Sequence, residues 1–372
     1  MIYLDYQATT PVAKEVTAAM RPWAEEHFAN PHAPSRPGRE AAAAIEVARA
    51  QLHRAIGLPD GSVAFTSGAT EAINWAIKGL AETATAKRNR IITVATEHAA
   101  VLDTCEWLEG RGFEIIRLPV DADGVVQMNA LEAAIDERTL LVAAMLVSNE
   151  IGVVQPVTEI CTAAHTVGAL MLCDAVQGLG RVPIPEGPDL VAVSAHKIHG
   201  PKGVGALWMR DGVTLAPLMH GGGQERGLRS GTLSPALCVG FGAAAKVASE
   251  SWNEDTEHVR ALWKVAVEAL GPGWTINGSV ERRYFGNLNI RLEGLDGARL
   301  ISDLRDISFS LGSACASGSG RPSHVLRALG LSDRQARSSI RLGFGRYTTK
   351  EELAEACQRI DAAARRQQGL EA

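Results

Sequence analysis

The residues of this chain best suited to chemistry stand at the ends of short apolar runs. Lys197 lies in SAHKIHGPKG (194–203), just past the run 190–194. Ser194 and His196 flank it, and Gly200, Pro201 and Gly203 turn the chain sharply after it. Ligands of open α/β sheets bind at the C-terminal edge of the strands. A lysine held there among hydroxyl and imidazole groups suits a Schiff base with an aldehyde cofactor; alone, it also reads as a solvated loop lysine. Asp174 closes the apolar run ALMLC within CDAVQ (173–177). A carboxylate at the end of a buried strand is costly unless paired. A pyridinium N–H is one such partner, and a role as a helix N-cap is the plainer alternative.

Three further signals share this placement. TSGATEAINWAIKGL, from Thr66, runs from strand into helix, so the helix N-terminus around Ala69 and Thr70 offers N–H groups to a phosphate. Ordinary capping by Thr70 would leave the same trace. His98 in TEHAAVLDTC follows the run 91–94 and could stack on a planar ring, move protons or cap the next helix. Cys315 lies in SLGSACASGSG (310–320), among Ser, Gly and Ala with no bulky anchor. A cysteine on such a tether could act as a thiolate nucleophile, or be a spare surface thiol. Cys105, Cys161, Cys173, Cys238 and Cys357 sit in apolar contexts and read as core. Gly240, Gly242 and Ala245 match G-x-G-x-x-A but lie inside a helical stretch with no strand before it, which excludes a dinucleotide site. His196 and His199 lack further ligands at metal-site spacing, so no metal is expected.

These residues need a scaffold that brings strand ends together. Candidate strands fall at 63–66, 91–94, 114–118, 140–147, 169–173, 190–194 and 205–209, with helices at 70–85, 99–111, 129–135 and 157–167 between them. That alternation predicts an α/β fold with a mostly parallel sheet of seven strands, covered on both faces. The apolar run 140–147 fits a central strand. After the Gly-rich segment 221–232 and a helix at 235–250, the pattern becomes α+β, with helices near 256–270, 297–304, 322–329 and 350–364 and strands near 274–277, 287–292, 307–310 and 339–342. The expected division is a large domain, 14–250, and a smaller one formed by 1–13 with 251–372.

Composition bounds the function. The chain has 372 residues, 46% hydrophobic and 21% charged, which excludes disorder and repeat architectures. With 37 Lys+Arg against 42 Asp+Glu, the net charge of −5 draws it neither to nucleic acid nor to an anionic membrane. The most apolar run, 140–147, is too short to span a bilayer, and MIYLDYQATTPV lacks the features of a secretory signal. Six cysteines without C-x-x-C spacing fit a reducing compartment, and the expected location is cytoplasmic.

Together, YLDYQATTPV, FTSGATEAINWAIKG, TEHAAVLDTC, SNEIGVVQP, DAVQ, SAHKIHGPKG, HGGGQERGLRSGT, GSACASG, PSHVLRALGL and SSIRLGFGRYTT cover almost the whole chain. Their set resembles the cysteine desulfurases of the NifS/IscS type, pyridoxal-phosphate enzymes of the class V aminotransferase superfamily. The resemblance implies the aspartate aminotransferase-like architecture, fold type I, and pyridoxal 5'-phosphate as cofactor. It implies that Lys197 binds the cofactor aldehyde and later moves the substrate's Cα proton. By the same resemblance Asp174 pairs with the pyridine nitrogen, Gln177 contacts the ring hydroxyl oxygen and His98 stacks on the ring. Thr70, Ser194 and His196 hold the phosphate, with the Ala69 backbone nearby, and Thr232 reaches the phosphate of a neighbouring subunit in a homodimer. Arg341 takes the substrate carboxylate, assisted by Asn149; a planar guanidinium grips a carboxylate bidentately. Cys315 removes sulfur from L-cysteine, leaving L-alanine and a persulfide for a sulfur-acceptor protein, in iron–sulfur assembly or thiolation.

Some features depart from the family pattern. ANPHAPSRPG, after Phe28, is one residue short, begins with Ala where Gly is frequent and lacks the family's histidine. The cysteine segment begins SLGSAC where a second Ser is frequent, and the chain ends at Ala372, where housekeeping members carry a longer tail that docks an iron–sulfur scaffold. The competing readings are a selenocysteine lyase or another enzyme on the same fold, and a catalytically dead sulfur carrier. Retention of Lys197, Asp174, His98, Arg341 and Cys315 argues against the last.

Overall fold

Seven strands form the main sheet of this computed structural model, which describes residues 1–311 and 322–369. After a short strand β1 (Ile2–Tyr3) come β2 (Gly61–Thr66), β3 (Arg90–Val94), β4 (Glu114–Leu118), β5 (Thr139–Met145), β6 (Leu170–Asp174), β7 (Leu190–Ser194) and β8 (Gly205–Arg210). Their order is β2-β8-β7-β6-β5-β3-β4. Neighbours are parallel from β7 through β4, and β8 alone runs against them. The expected seven-stranded, mostly parallel α/β sheet is therefore present. The ends of β2, β3, β5, β6 and β7 share one edge, and β8 starts there, with Gly205 opposite both Thr66 and Ser194.

The period-two alternation of the strands explains the double covering. Val142 and Ala144 of β5 pack into one apolar cluster with Val191, Val193 and Trp208, whereas Leu141 and Ala143 pack into another with Leu172, Ala192 and Leu207. Helices close both clusters. One of them, Arg36–Ile56, has no counterpart among the expected helices; its entry is spelled SRPG. Pro37 belongs to its first turn, where the missing N–H costs nothing, and Ser35 caps it by accepting the Gly38 N–H. Its buried face, Gly38, Ala41, Ile45, Ala48, Leu52 and Ile56, follows helical spacing. Helix Pro235–Glu250 lies against it and against helix Lys14–Glu25: a Cβ on Gly242 would come within 2.6 Å of the Ala48 Cα in the first, and one on Gly240 within 2.6 Å of the Met20 sulfur in the second. Close helix packing accounts for the two glycines that mimic a nucleotide motif.

The C-terminal part carries β9 (Thr275–Ile276), β10 (Asn287–Arg291), β11 (Ile307–Ser308), β12 (Ser310–Leu311) and β13 (Ser339–Gly343). Four of these form an antiparallel sheet in the order β12-β13-β10-β9, and β11 pairs with β1. Helices Trp252–Ala269 and Lys350–Gln367 complete a third core, in which Leu4 packs with Leu262, Ile290, Leu342 and Ile360. The N-terminal residues thus belong to this part and then cross to the main sheet, where Thr10 accepts and donates hydrogen bonds at His199 and His196.

Candidate active site

A cavity of about 910 Å³ opens at the shared strand edge. Its walls include Ala69, Thr70, His98, Asn149, Asp174, Gln177, Ser194, His196, Lys197 and Arg341. The structure therefore collects these sequence-selected residues from the ends of β2, β3, β5, β6 and β7 and, for Arg341, from the middle of β13. Thr232 is exposed and does not line the cavity, and Cys315 lies outside the described residues.

Lys197 ends a short 3-10 turn, Ala195–Lys197, directly after β7. Its Nζ donates to the carbonyls of Gln7 and Ala8, each at 2.7 Å. Burial, with the Arg181 and Arg341 guanidinium groups beside it, pushes the amine down to about 8, against the pull of Asp5 and Asp174. Asp174 is buried at the end of β6, and its Oδ1 accepts the Val176 N–H at 2.9 Å. It turns the chain locally and does not cap a helix. Burial raises its pKa, while the Val176 N–H, His98 and Lys197 work the other way. A buried acceptor of this kind suits a protonated ring nitrogen.

At one end of the cavity, helix Ala69–Thr83 starts after Gly68 with no side-chain cap. Thr70 is therefore in the first turn and is not the cap that its type suggested, so the leading N–H groups stay available to an anion. Ser194 is buried alongside. Burial, then the nearby Lys197, push His196 down to about 4, so it is a neutral imidazole; its Nδ1 lies 3.1 Å from Thr9 Oγ1. Of its expected tasks, the structure shows His98 as a helix cap, placed on the cavity wall. Its Nδ1 accepts the Ala100 N–H at 3.1 Å, capping helix Ala99–Glu109, while the residue lines the cavity.

The other end is cationic. Arg341 on β13 is 1% exposed. Its guanidinium donates to the Asn149 carbonyl at 3.0 Å and to Asp5 Oδ1 at 2.7 Å, and its buried Nε has no hydrogen-bond partner among the described residues. Asn287 Nδ2 also donates to the Asn149 carbonyl, at 3.1 Å, and Asn289 Nδ2 to the Glu150 carbonyl, at 3.0 Å, pinning this wall to β10. Glu150 is pushed up to about 7 by burial, opposed by the Ser323 hydroxyl and Arg341.

Sequence reasoning missed Asp5, Gln7, Glu97, Glu150 and Arg181. The first two stand in YLDYQATTPV and the next two in TEH and SNE, motifs that were singled out as wholes without their acidic members being given a task. Nothing local in the sequence marks Arg181.

The donor set fits a phosphorylated pyridine aldehyde. An uncapped helix N-terminus with a hydroxyl and a neutral imidazole could take an anion, a buried carboxylate a protonated ring nitrogen, and a lysine of depressed basicity an aldehyde. The chain belongs to the aminotransferase class-V family, which matches residues 2–355. Within that family its relatives are cysteine desulfurases, enzymes that depend on pyridoxal phosphate. It is 44% identical to cysteine desulfurase IscS of Rickettsia bellii, covering 96% of this chain and 90% of that one. The IscS of Rickettsia akari is also 44% identical, over 97% of this chain and 91% of its own. Among solved structures, a NifS-like protein aligns with a TM-score of 0.90 at 36% identity, over 97% of this chain and 98% of that one. SspA in complex with cysteine aligns with a TM-score of 0.81 at 35% identity, over 94% and 100%. No helix among the described residues is long and apolar enough to cross a membrane.

Proposed function

We propose that this chain is a desulfurase that takes sulfur from L-cysteine, releases L-alanine and holds the sulfur on Cys315 as a persulfide for an acceptor protein. The observation that carries this reading is the meeting of Lys197, Asp174 and Arg341 on one cavity, the first two from the ends of β7 and β6 and the third from the middle of β13. Pyridoxal phosphate, when bound, supplies an aldehyde for the substrate amine and a ring that draws electrons from Cα. Ala69, Thr70, Ser194 and His196 would hold its phosphate, Gln177 its ring oxygen, His98 its face and Asp174 its nitrogen.

The chain's own residues do the rest. Arg341, steadied by Asp5, takes the substrate carboxylate beside Asn149. Lys197 accepts and returns the Cα proton at Nζ, a task favoured by an amine near 8. The Cys315 thiolate bonds the substrate sulfur as the C–S bond breaks. The bonding pair stays on carbon, which takes a proton to become the methyl group of alanine. Residues 14–250 would form the cofactor domain, with 1–13 and 251–372 as its smaller companion. A homodimer would bring Thr232 to the partner's phosphate, and its exposure in the single chain supports that assignment. Acceptor candidates are an iron–sulfur scaffold or a thiolation enzyme.

The test is turnover of L-cysteine by the pyridoxal-phosphate-loaded protein, with alanine and persulfide sulfur quantified together. Cys315→Ala should retain the visible absorption of the bound cofactor and lose sulfur transfer by at least a hundredfold. Undiminished alanine release from that variant overturns the reading. Turnover of selenocysteine with cysteine untouched replaces it with a selenocysteine lyase.

A further inference from the structure

Arg181 leaves the turn that follows β6, past Asp174 and Gln177. It has no carboxylate partner among the described residues. One arm of its guanidinium, Nη2, donates to the Lys197 carbonyl at 2.7 Å, and the other, Nη1, donates to Gln177 Oε1. Its guanidinium carbon lies 5.1 Å from the centre of the Tyr284 ring. The amide of Gln177 in turn donates to the Gln7 carbonyl at 3.0 Å, and that same carbonyl accepts the Lys197 ammonium at 2.7 Å. The contacts close a ring: Arg181 to Gln177, Gln177 to the Gln7 carbonyl, that carbonyl to Lys197 Nζ, and the Lys197 carbonyl back to Arg181. Arg181 thus holds the lysine's carbonyl directly and reaches its amine through Gln177 and the Gln7 carbonyl.

We infer that Arg181 is a positioning residue for Lys197, fixing its backbone directly and its amine through Gln177 and the Gln7 carbonyl while keeping a positive charge behind it. The inference rests on Lys197 being the reacting lysine. Burial lowers the Arg181 pKa, with the Tyr284 phenol opposing, but a guanidinium starts so high that it keeps its charge at working pH and biases a neighbouring amine. After burial, Arg181 is the largest influence drawing the Lys197 amine down to about 8; Arg341 adds to it, and Asp5 and Asp174 oppose it. His196, also adjacent, is held neutral. A neutral amine bonds a carbonyl carbon and accepts a proton, and an ammonium does neither. A structural guanidinium would need only its hydrogen bonds. A biasing one must also keep its charge, and that difference is measurable.

The experiment follows Lys197 itself. Full-length protein freed of cofactor is treated with an amine-acylating reagent over a pH series, and modification of Lys197 is read by peptide mass spectrometry. The parent midpoint is expected near 8. Arg181→Gln, which keeps a hydrogen-bonding amide and drops the charge, should move the midpoint up by about one unit. That is about tenfold less modification at pH 7. Arg181→Lys, which keeps charge and loses the fork, should leave the midpoint within a few tenths of the parent. Equal upward movement in both variants, or none in Arg181→Gln, overturns the inference and leaves the desulfurase reading standing. The desulfurase reading falls separately if Lys197→Ala still forms the same visible band with pyridoxal phosphate. Should Arg181→Gln fail to fold, Arg181→Met carries the same comparison.

Discussion

At Glu97 the carboxyl group is buried: Oε1 accepts the Met145 N–H at 2.7 Å, and Oε2 has no partner among the described residues. Burial, then the Asp174 carboxylate, raise its pKa well above 4.5. A folded-state pKa above the unfolded one means that the native state binds the proton more tightly. The stability this confers is complete below the unfolded value and declines as pH rises toward the folded one. Glu97→Gln, which mimics the protonated acid and cannot ionise, should escape that decline. Above pH 4.5 the parent should lose about 1.4 kcal/mol per pH unit relative to the variant until the folded pKa is reached. Thermal melts of both proteins from pH 4 to 8 check this, and a constant difference across the series rejects it. The residue was hidden in plain sight, because TEH directs attention to the imidazole, and only the fold shows that the residue three past β3 is buried, beside the Met145 N–H at the end of β5. His98 shows the converse. Its type left several tasks open, and the structure shows the cap with the residue on the cavity wall.

Among the elements, the strands were the most legible, because a sheet covered on both faces writes each strand as a compact apolar run. The long helix Arg36–Ile56 was the least, because its entry is spelled with Pro and Gly, the letters of a loop. Where two elements meet, local pattern is silent. Gly205, at the start of β8, is one such place: a Cβ there would sit 2.5 Å from the Gly68 carbonyl carbon and 2.8 Å from the Ala69 nitrogen. Backbone atoms cannot give way as a side-chain tip can, so the strand start presses against the anion-binding helix entry. Gly205→Ala should displace that entry, destabilising the fold by about 1–3 kcal/mol and weakening pyridoxal-phosphate retention about tenfold. Equilibrium dialysis of the cofactor alongside denaturant titration checks both. Full retention would show that the helix start accommodates a methyl group without moving its N–H groups.

At the scale of the whole molecule, the site joins parts that are remote in sequence. Arg341 and Asp5 are 336 positions apart, and no periodicity reports such a pair. What was legible was the motif content of each end; the joint itself depends on β1 pairing with β11 to bring the amino terminus across. Thr232 adds a prediction at this scale. If its hydroxyl completes the site of a second copy, Thr232→Ala should leave sedimentation as a dimer intact while lowering cofactor affinity several-fold. Analytical ultracentrifugation with cofactor titration measures the two independently, and a monomeric parent or unchanged affinity rejects the assignment.

The crossing of residues 5–10 has a practical corollary. The carbonyls that receive the Lys197 amine and the acid that steadies Arg341 all precede the first helix, in a stretch that adds almost nothing to the large sheet. A protease or a poorly placed affinity tag acting there would spare the bulk of the molecule and its spectroscopic signature of folding. It would nonetheless strip the amine and the guanidinium of the groups that aim them, so intact ends are the quality criterion that matters for any preparation of this enzyme.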